Sequence, residues 1–167
     1  MSSITNDVLK LEHGAGGTTM EALVKELFLK GFDKRQALNG VGLDALDDGA
    51  SVKLDCGEVV VSIDGHTVDP IFFPGGDLGR LAISGAVNDV SVMGAEPVAI
   101  LDSIIAEEGY KMSDLRALVD SMNRTALEVG VAVIGGDFKV MPRGNLDGVV
   151  IATCGMGFLK NRRPILD

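Results

Sequence analysis

Five aspartates carry the residue chemistry most worth following in this chain: Asp47, Asp48, Asp64, Asp89 and Asp137. Each stands in a predicted turn, at a predicted strand end or inside an apolar run, and most adjoin glycine. Only Asp137 has a basic residue close by, Lys139. Asp89 lies beside Asn88 within the apolar run Leu78 to Met93, with no Lys or Arg within four residues. A carboxylate in such a setting must be protonated, hydrogen-bonded or bound to a cation. Were several to converge without a cation, each pair at ~5 Å would repel by roughly 3 kcal/mol at an effective dielectric of ~20. A marginally stable domain does not carry several such terms. Either the carboxylates stay apart, each satisfied locally, or a divalent cation sits among them. Oxygen donors without His or Cys favour Mg²⁺ or Mn²⁺ over zinc, and Mg²⁺ commonly brings nucleotide phosphates with it.

The elements that must position these residues follow from periodicity. Leu78, Leu81, Ala82, Val87, Val90 and Met93 fall at helical steps, and Gly94 and Pro97 stop that helix. Glu58 to Asp64 reads as a β-branched strand ending in an aspartate, with Asp47-Asp48-Gly49 before it as a turn or a site. Pro97 to Ile105 reads as a strand. Ser113, as N-cap, opens an amphipathic helix to Val129 that Gly130 ends. Val131 to Ile134 is expected as a short buried strand running into Gly135-Gly136-Asp137, and Gly148 to Phe158 as a last strand. Phe72 and Phe73 lie in an expected loop and plug the core or an interface. Near the start, Gly14, Gly16 and Gly17 precede a helical stripe at 20, 23, 24, 27 and 28, with Thr18 or Thr19 as N-cap. A Gly-rich loop opening a helix presents N–H groups to phosphate, though no Lys-Ser/Thr follows as in a Walker loop, and a plain turn reads equally well. The elements predict an α+β domain: a four-stranded mixed sheet with helices on one face.

Bulk properties narrow the function. One domain fits 167 residues, and a net charge of −9 argues against a nucleic-acid surface. No apolar run approaches a membrane span, no secretory signal is visible, and Cys56 and Cys154 form no CxxC pattern, so a cytoplasmic location is expected. Two histidines make a zinc site built on histidine improbable. Twenty-two glycines, clustered beside apolar segments, point to tight turns and close backbone approach.

Asn88-Asp89-Val90-Ser91-Val92-Met93-Gly94-Ala95-Glu96-Pro97, Ser62-Ile63-Asp64, Ile134-Gly135-Gly136-Asp137 and Leu46-Asp47-Asp48-Gly49-Ala50 together resemble the ATP-binding half of the aminoimidazole-ribonucleotide-synthetase (PurM-like) superfamily. His13 to Gly17, Val68 to Asp77 and Gly136 to Val140 resemble, within it, the HypE family of hydrogenase maturation factors. The resemblance implies a sheet closed to an eight-stranded barrel across a homodimer, with Mg²⁺ and ATP as cofactors. It implies Asp47, Asp48, Asp64, Asp89 and Asp137 at the metal, and Gly14, Gly16, Gly17, Asn88 and Lys139 around the phosphates. The implied activity is ATP-dependent dehydration of an S-carbamoyl cysteine to a thiocyanate, the cyanide source for nickel–iron hydrogenase. The implied partners are HypF and a HypC–HypD complex. Phe138 departs from the Thr found in many relatives, and the family's second domain and terminal Cys have no counterpart here. Residues 1–160 are expected as the ATP-binding domain and 161–167 as the start of a linker, so the chain by itself is expected not to turn over. A selenophosphate synthetase, a small-molecule kinase and a non-enzymatic dimerisation module are the alternatives. The first is disfavoured because the Gly-rich segment holds no Cys or Lys.

Overall fold

Residues 17–159 are described by a computed structural model, and the Gly14–Gly16 part of the glycine loop and the 161–167 tail lie outside them. The helix α1 (Gly17–Leu23) continues in wider π-type turns through Val24–Leu29 and buries no side chain. Thr18 and Thr19 fall inside α1 and not at its cap, because the helix already begins at Gly17. Four strands then alternate with short connections: β1 (Ala50–Leu54), β2 (Gly57–His66), and the two-residue β3 (Phe72–Phe73) and β4 (Gly76–Asp77). After them come α2 (Leu78–Val92), β5 (Glu96–Glu107), α3 (Met112–Val129), β6 (Ala132–Met141) and β7 (Val149–Leu159).

The main sheet has five strands, not the expected four, in the order β1-β2-β7-β5-β6. Among the described strands only β5 and β6 pair in parallel, so the sheet is mixed as expected. The extra strand, β1, pairs with β2 through a tight hairpin in which Leu54 faces Gly57. Phe72 and Phe73 are not in a loop but in a separate ribbon, β3 paired with β4, which leads into α2. Asp77 caps α2 by accepting the N–H of Arg80 at 2.9 Å, the exchange that satisfies an otherwise orphaned first-turn donor. Gly94, at φ 79°, closes the helix, donating to Ser91 O while Ala95 donates to Val90 O.

Both long helices lie on one face of the sheet. In β7 the odd-numbered residues Val149, Ile151, Thr153, Gly155 and Gly157 are buried, while their even-numbered neighbours face the other, open side. The main core joins Leu78, Ala82, Ile83 and Ala86 of α2 to Leu118 and Met122 of α3 and to Ile100, Ile104 and Ile151 of the sheet. Each fully buried aliphatic contributes about 1.5–3 kcal/mol. A smaller cluster, Val60, Val90, Met93 and Ala95, seats the C-terminal end of α2. Glycine lets that helix come close: a Cβ at Gly155 would stand 2.7 Å from Ala86 O, and one at Gly157 2.3 Å from Val90 Cγ1.

Two further expectations are corrected. Gly135-Gly136-Asp137 is not a loop after a short buried strand: it lies within β6, and that strand is exposed along nearly all its length. Its position at the sheet edge, beside β5 alone, is the reason. The start of α3 is capped by Lys111 without a side-chain bond, and Ser113 sits inside the helix, donating to Asp114.

Candidate functional site

Ser62, Asp64 and His66 stand at alternate positions of β2, so all three side chains project toward the helical face. Asp89 approaches from α2. Ser62 Oγ lies 2.8 Å from Asp89 Oδ2 and 2.8 Å from the carbonyl oxygen of Asp48. A hydroxyl carries one proton, so it donates to one of these acceptors at a time. Ser62 thereby ties three segments together: the loop at Asp48, strand β2 and helix α2. It is 5 % exposed, and Asp89 is half-buried. Two residues along, Asp64 is half exposed, accepts the N–H of Gly65 at Oδ1, and has its Oδ2 3.6 Å from Nδ1 of the buried His66.

Asp47 and Asp48 follow a 3-10 turn (Leu43–Ala45) and line a cavity of about 450 Å³. Gly49, Val61, Ser62, Ile63 and Cys154 complete much of its wall. The walls are mainly apolar and the two carboxylates supply the charge, a pattern common in ligand pockets.

The five aspartates do not form one cluster within this chain. Asp48, through its carbonyl, meets Asp89 at Ser62; Asp64 lies on the same strand face; Asp137 is elsewhere. Cross-strand pairing sets Asp64 opposite Thr153, Thr153 opposite Asp102, and Asp102 opposite Gly136. Asp137 therefore belongs to the next row and projects to the opposite face, about 14 Å away at three strand spacings. It is exposed and pairs with Lys139 at 3.5 Å. Asn88, one residue before Asp89, is exposed on α2. Among the described residues no three His, Cys, Asp or Glu side chains stand close enough to hold one metal ion. The donors that do meet are carboxylate, hydroxyl and carbonyl oxygens, which suit Mg²⁺ in kind. In number they suit an ion that takes one or two carboxylates and completes its shell with phosphate and water, not an all-protein cage.

Ser62, His66 and Thr153 were not singled out by sequence as site residues: the strand predicted over Glu58 to Asp64 puts Ser62 and Asp64 on one face, but β2 runs on to His66 and brings that ring to the same face. Asp102 was missed as well. Its carboxyl is held above the usual carboxylate range by burial between β6 and β7.

Residues 46–159 match the family model described as AIR synthase related protein, N-terminal domain. Carbamoyl dehydratase HypE of Azotobacter vinelandii is 42% identical over 154 residues, covering 92% of this chain and 43% of that protein. The Escherichia coli protein of the same name is 40% identical over 149 residues, covering 89% and 44%. The chain thus spans less than half the length of these curated relatives. A crystal structure of HypE in complex with ATP superposes with a TM-score of 0.62 at 44% identity, covering 92% of this chain and 44% of that one. A HypE–HypF complex gives 0.73 at 40%, covering 84% and 43%. Thiamine monophosphate kinase from Aquifex aeolicus, at 14% identity and a TM-score of 0.59 over 92% and 45%, shares the fold. By this match over most of its length, the chain belongs to the AIR synthase related protein family, through that family's N-terminal domain.

Proposed function

We infer that this chain is the Mg·ATP-binding part of a HypE-type hydrogenase maturation protein. The observation that carries the inference is the meeting of Asp89, Ser62 and the Asp48 carbonyl at the contact of α2 with β2, beside a cavity lined by Asp47 and Asp48. Relatives named carbamoyl dehydratase and a HypE solved with ATP support it. In this reading Asp47, Asp48, Asp64 and Asp89 face the metal–phosphate end of the nucleotide. Asn88, with Gly14, Gly16 and Gly17, attends the phosphates, and Lys139, beside Asp137 on the opposite sheet face, reaches them only from a second copy. A bound Mg²⁺ would neutralise charge on the transferring phosphoryl group. The side chains of this chain hold the nucleotide and its metal in register with the reacting group.

The whole protein's reaction, in this reading, is ATP-dependent dehydration of an S-carbamoyl cysteine to a thiocyanate that supplies cyanide for nickel–iron hydrogenase. HypF and a HypC–HypD complex are its partners, and residues 161–167 lead toward a second domain. The open sheet face, where Ile63 and Leu101 are exposed, favours closure by a second copy in the cytoplasm, and an eight-stranded barrel would take four of the five strands from each copy. Asp137 joins the same nucleotide only if that second copy carries it there.

Titration calorimetry with ATP and Mg²⁺ tests the reading. Mg-dependent binding is expected, weakened at least about ten-fold by Asp89→Asn. Equal, negligible heats from both proteins would leave a dimerisation module in its place. Sedimentation at micromolar concentration is expected to show a dimer, and a monomer would remove the shared barrel.

A further inference from the structure

The nucleotide reading leaves His66 without a role, yet the fold goes to some length to enclose it. The side chain is 5 % exposed, lying between α2 and the sheet. Position 85 of α2 is glycine, and a Cβ there would stand 2.6 Å from His66 Cε1, so the helix leaves space for the ring. Both ring nitrogens have polar neighbours. Nε2 is 2.9 Å from Thr153 Oγ1, and Nδ1 is 3.6 Å from Asp64 Oδ2.

The tautomer follows from these neighbours. Thr153 is 2 % exposed, and its single hydroxyl proton has two takers: His66 Nε2 at 2.9 Å and Ala82 O at 3.4 Å. Donation to Nε2 uses the shorter contact and places the ring proton on Nδ1, facing the Asp64 carboxylate. The alternative puts the proton on Nε2 and turns a bare Nδ1 lone pair toward a carboxylate oxygen, a repulsive pairing. At 3.6 Å the Nδ1–Asp64 contact is longer than a hydrogen bond and acts as a dipole aimed at a charge. The other Asp64 oxygen is held by Gly65 N–H at 2.8 Å. One Asp64 oxygen is thus hydrogen-bonded on the protein side and the other faces the Nδ1–H dipole, so the carboxylate is turned as a unit.

We propose that His66 is a positioning residue: locked by Thr153 as the Nδ1–H tautomer, it orients the Asp64 carboxylate toward the metal–phosphate end of the nucleotide. The proposal rests on the Mg·ATP reading above for its consequence, and on geometry alone for the His66–Asp64 link. Partners that orient ligating carboxylates typically change metal affinity by about 10–100-fold when removed.

Two measurements test it. The chain has only two histidines, His13 and His66, so ¹⁵N-histidine NMR of a His13→Gln protein reports one ring. At a pH where that ring is neutral, the Nδ1–H tautomer is expected, and Asp64→Ala is expected to move the population toward Nε2–H. An Nε2–H ring in the protein with Asp64 intact overturns the proposal. Calorimetry with Mg·ATP then compares two substitutions. His66→Asn keeps a donor near the Nδ1 position and is expected to bind within about three-fold of the parent. His66→Gln, whose amide reaches the Nε2 position instead, is expected to lose about ten-fold or more. Equal affinities for the two overturn the positioning role. Absence of Mg·ATP binding by the parent chain would instead remove the nucleotide reading, and the tautomer measurement would still decide the His66–Asp64 link.

Discussion

Replacing Gly155 by alanine tests whether the seating of α2 on β7 holds Asp89 at its post. A Cβ at this position would stand 2.7 Å from the Ala86 carbonyl oxygen and 2.9 Å from Val90 Cγ2. The first of these atoms is backbone and cannot rotate aside, and ordinary contact begins near 3.4 Å, so the helix must lift by about 0.7 Å. Gly157 and Gly85 make similar close approaches along the same helix, which leaves little freedom to slide. Overpacking of this kind costs about 1–3 kcal/mol. At about 2–4 °C per kcal/mol for a chain of this size, the midpoint is expected to fall by roughly 2–12 °C. Thermal unfolding followed by circular dichroism measures it, with Gly31→Ala as a control, since a Cβ there meets nothing. Asp89 lies between Ala86 and Val90 in α2, so the same lift draws its carboxylate from Ser62, and Mg·ATP affinity is expected to fall with stability. A Gly155→Ala protein as stable as the control would refute the packing argument. One that melts early yet binds Mg·ATP at full strength would break the link between the helix seat and the site.

Asp102→Asn is expected to stabilise the fold at pH 7, by less than about 1 kcal/mol because the group is partly screened by solvent. Burial raises its folded pKa above 3.8, so the favourable protonated form is present below 3.8 and its contribution is lost as pH rises through the raised value. The gain in urea midpoint should therefore shrink as pH falls toward 3.8, and a pH-independent gain would contradict the assignment. Ser62→Ala removes the hydroxyl between Asp48 O and Asp89 and is expected to cost about 1–2 kcal/mol; denaturant titration measures it, and no change would mean the hydroxyl ties nothing together. Leu118→Ala, at a side chain with no exposure in the main core, is expected to cost about 2–5 kcal/mol in the same measurement.

Helices α2 and α3 were legible because their stop signals are local: Gly94 and Gly130 both adopt the left-handed conformation that ends a helix. Strands β2, β5 and β7 were legible from β-branched runs. β1 was not, because its five residues include Lys53 and gain their stability from pairing with β2, a tertiary event. β6 was cut short at Ile134 because Gly135-Gly136 reads as a turn, whereas partnering with β5 holds it extended. The apolar run marks Asp89 as a carboxylate that needs a partner, but it does not name one, because the hydroxyl of Ser62 that meets it is 27 positions away. Periodicity gave no warning that Asp64 and Asp137 lie on opposite faces, since face depends on pairing register and the β5–β6 register shifts between Ile100 and Leu101.

β6 carries Val133, Ile134, Phe138 and Val140 exposed along an outer strand, and its only charges are Asp137 and Lys139. Charged side chains on such a strand act as gatekeepers against aggregation. The two residues read as nucleotide contacts therefore have a second duty in the chain taken alone. Neutralising both would strip a sticky ribbon of the hydrated charges that are costly to bury against another strand, so precipitation, and not merely weaker ligand binding, is the phenotype to look for in that double variant.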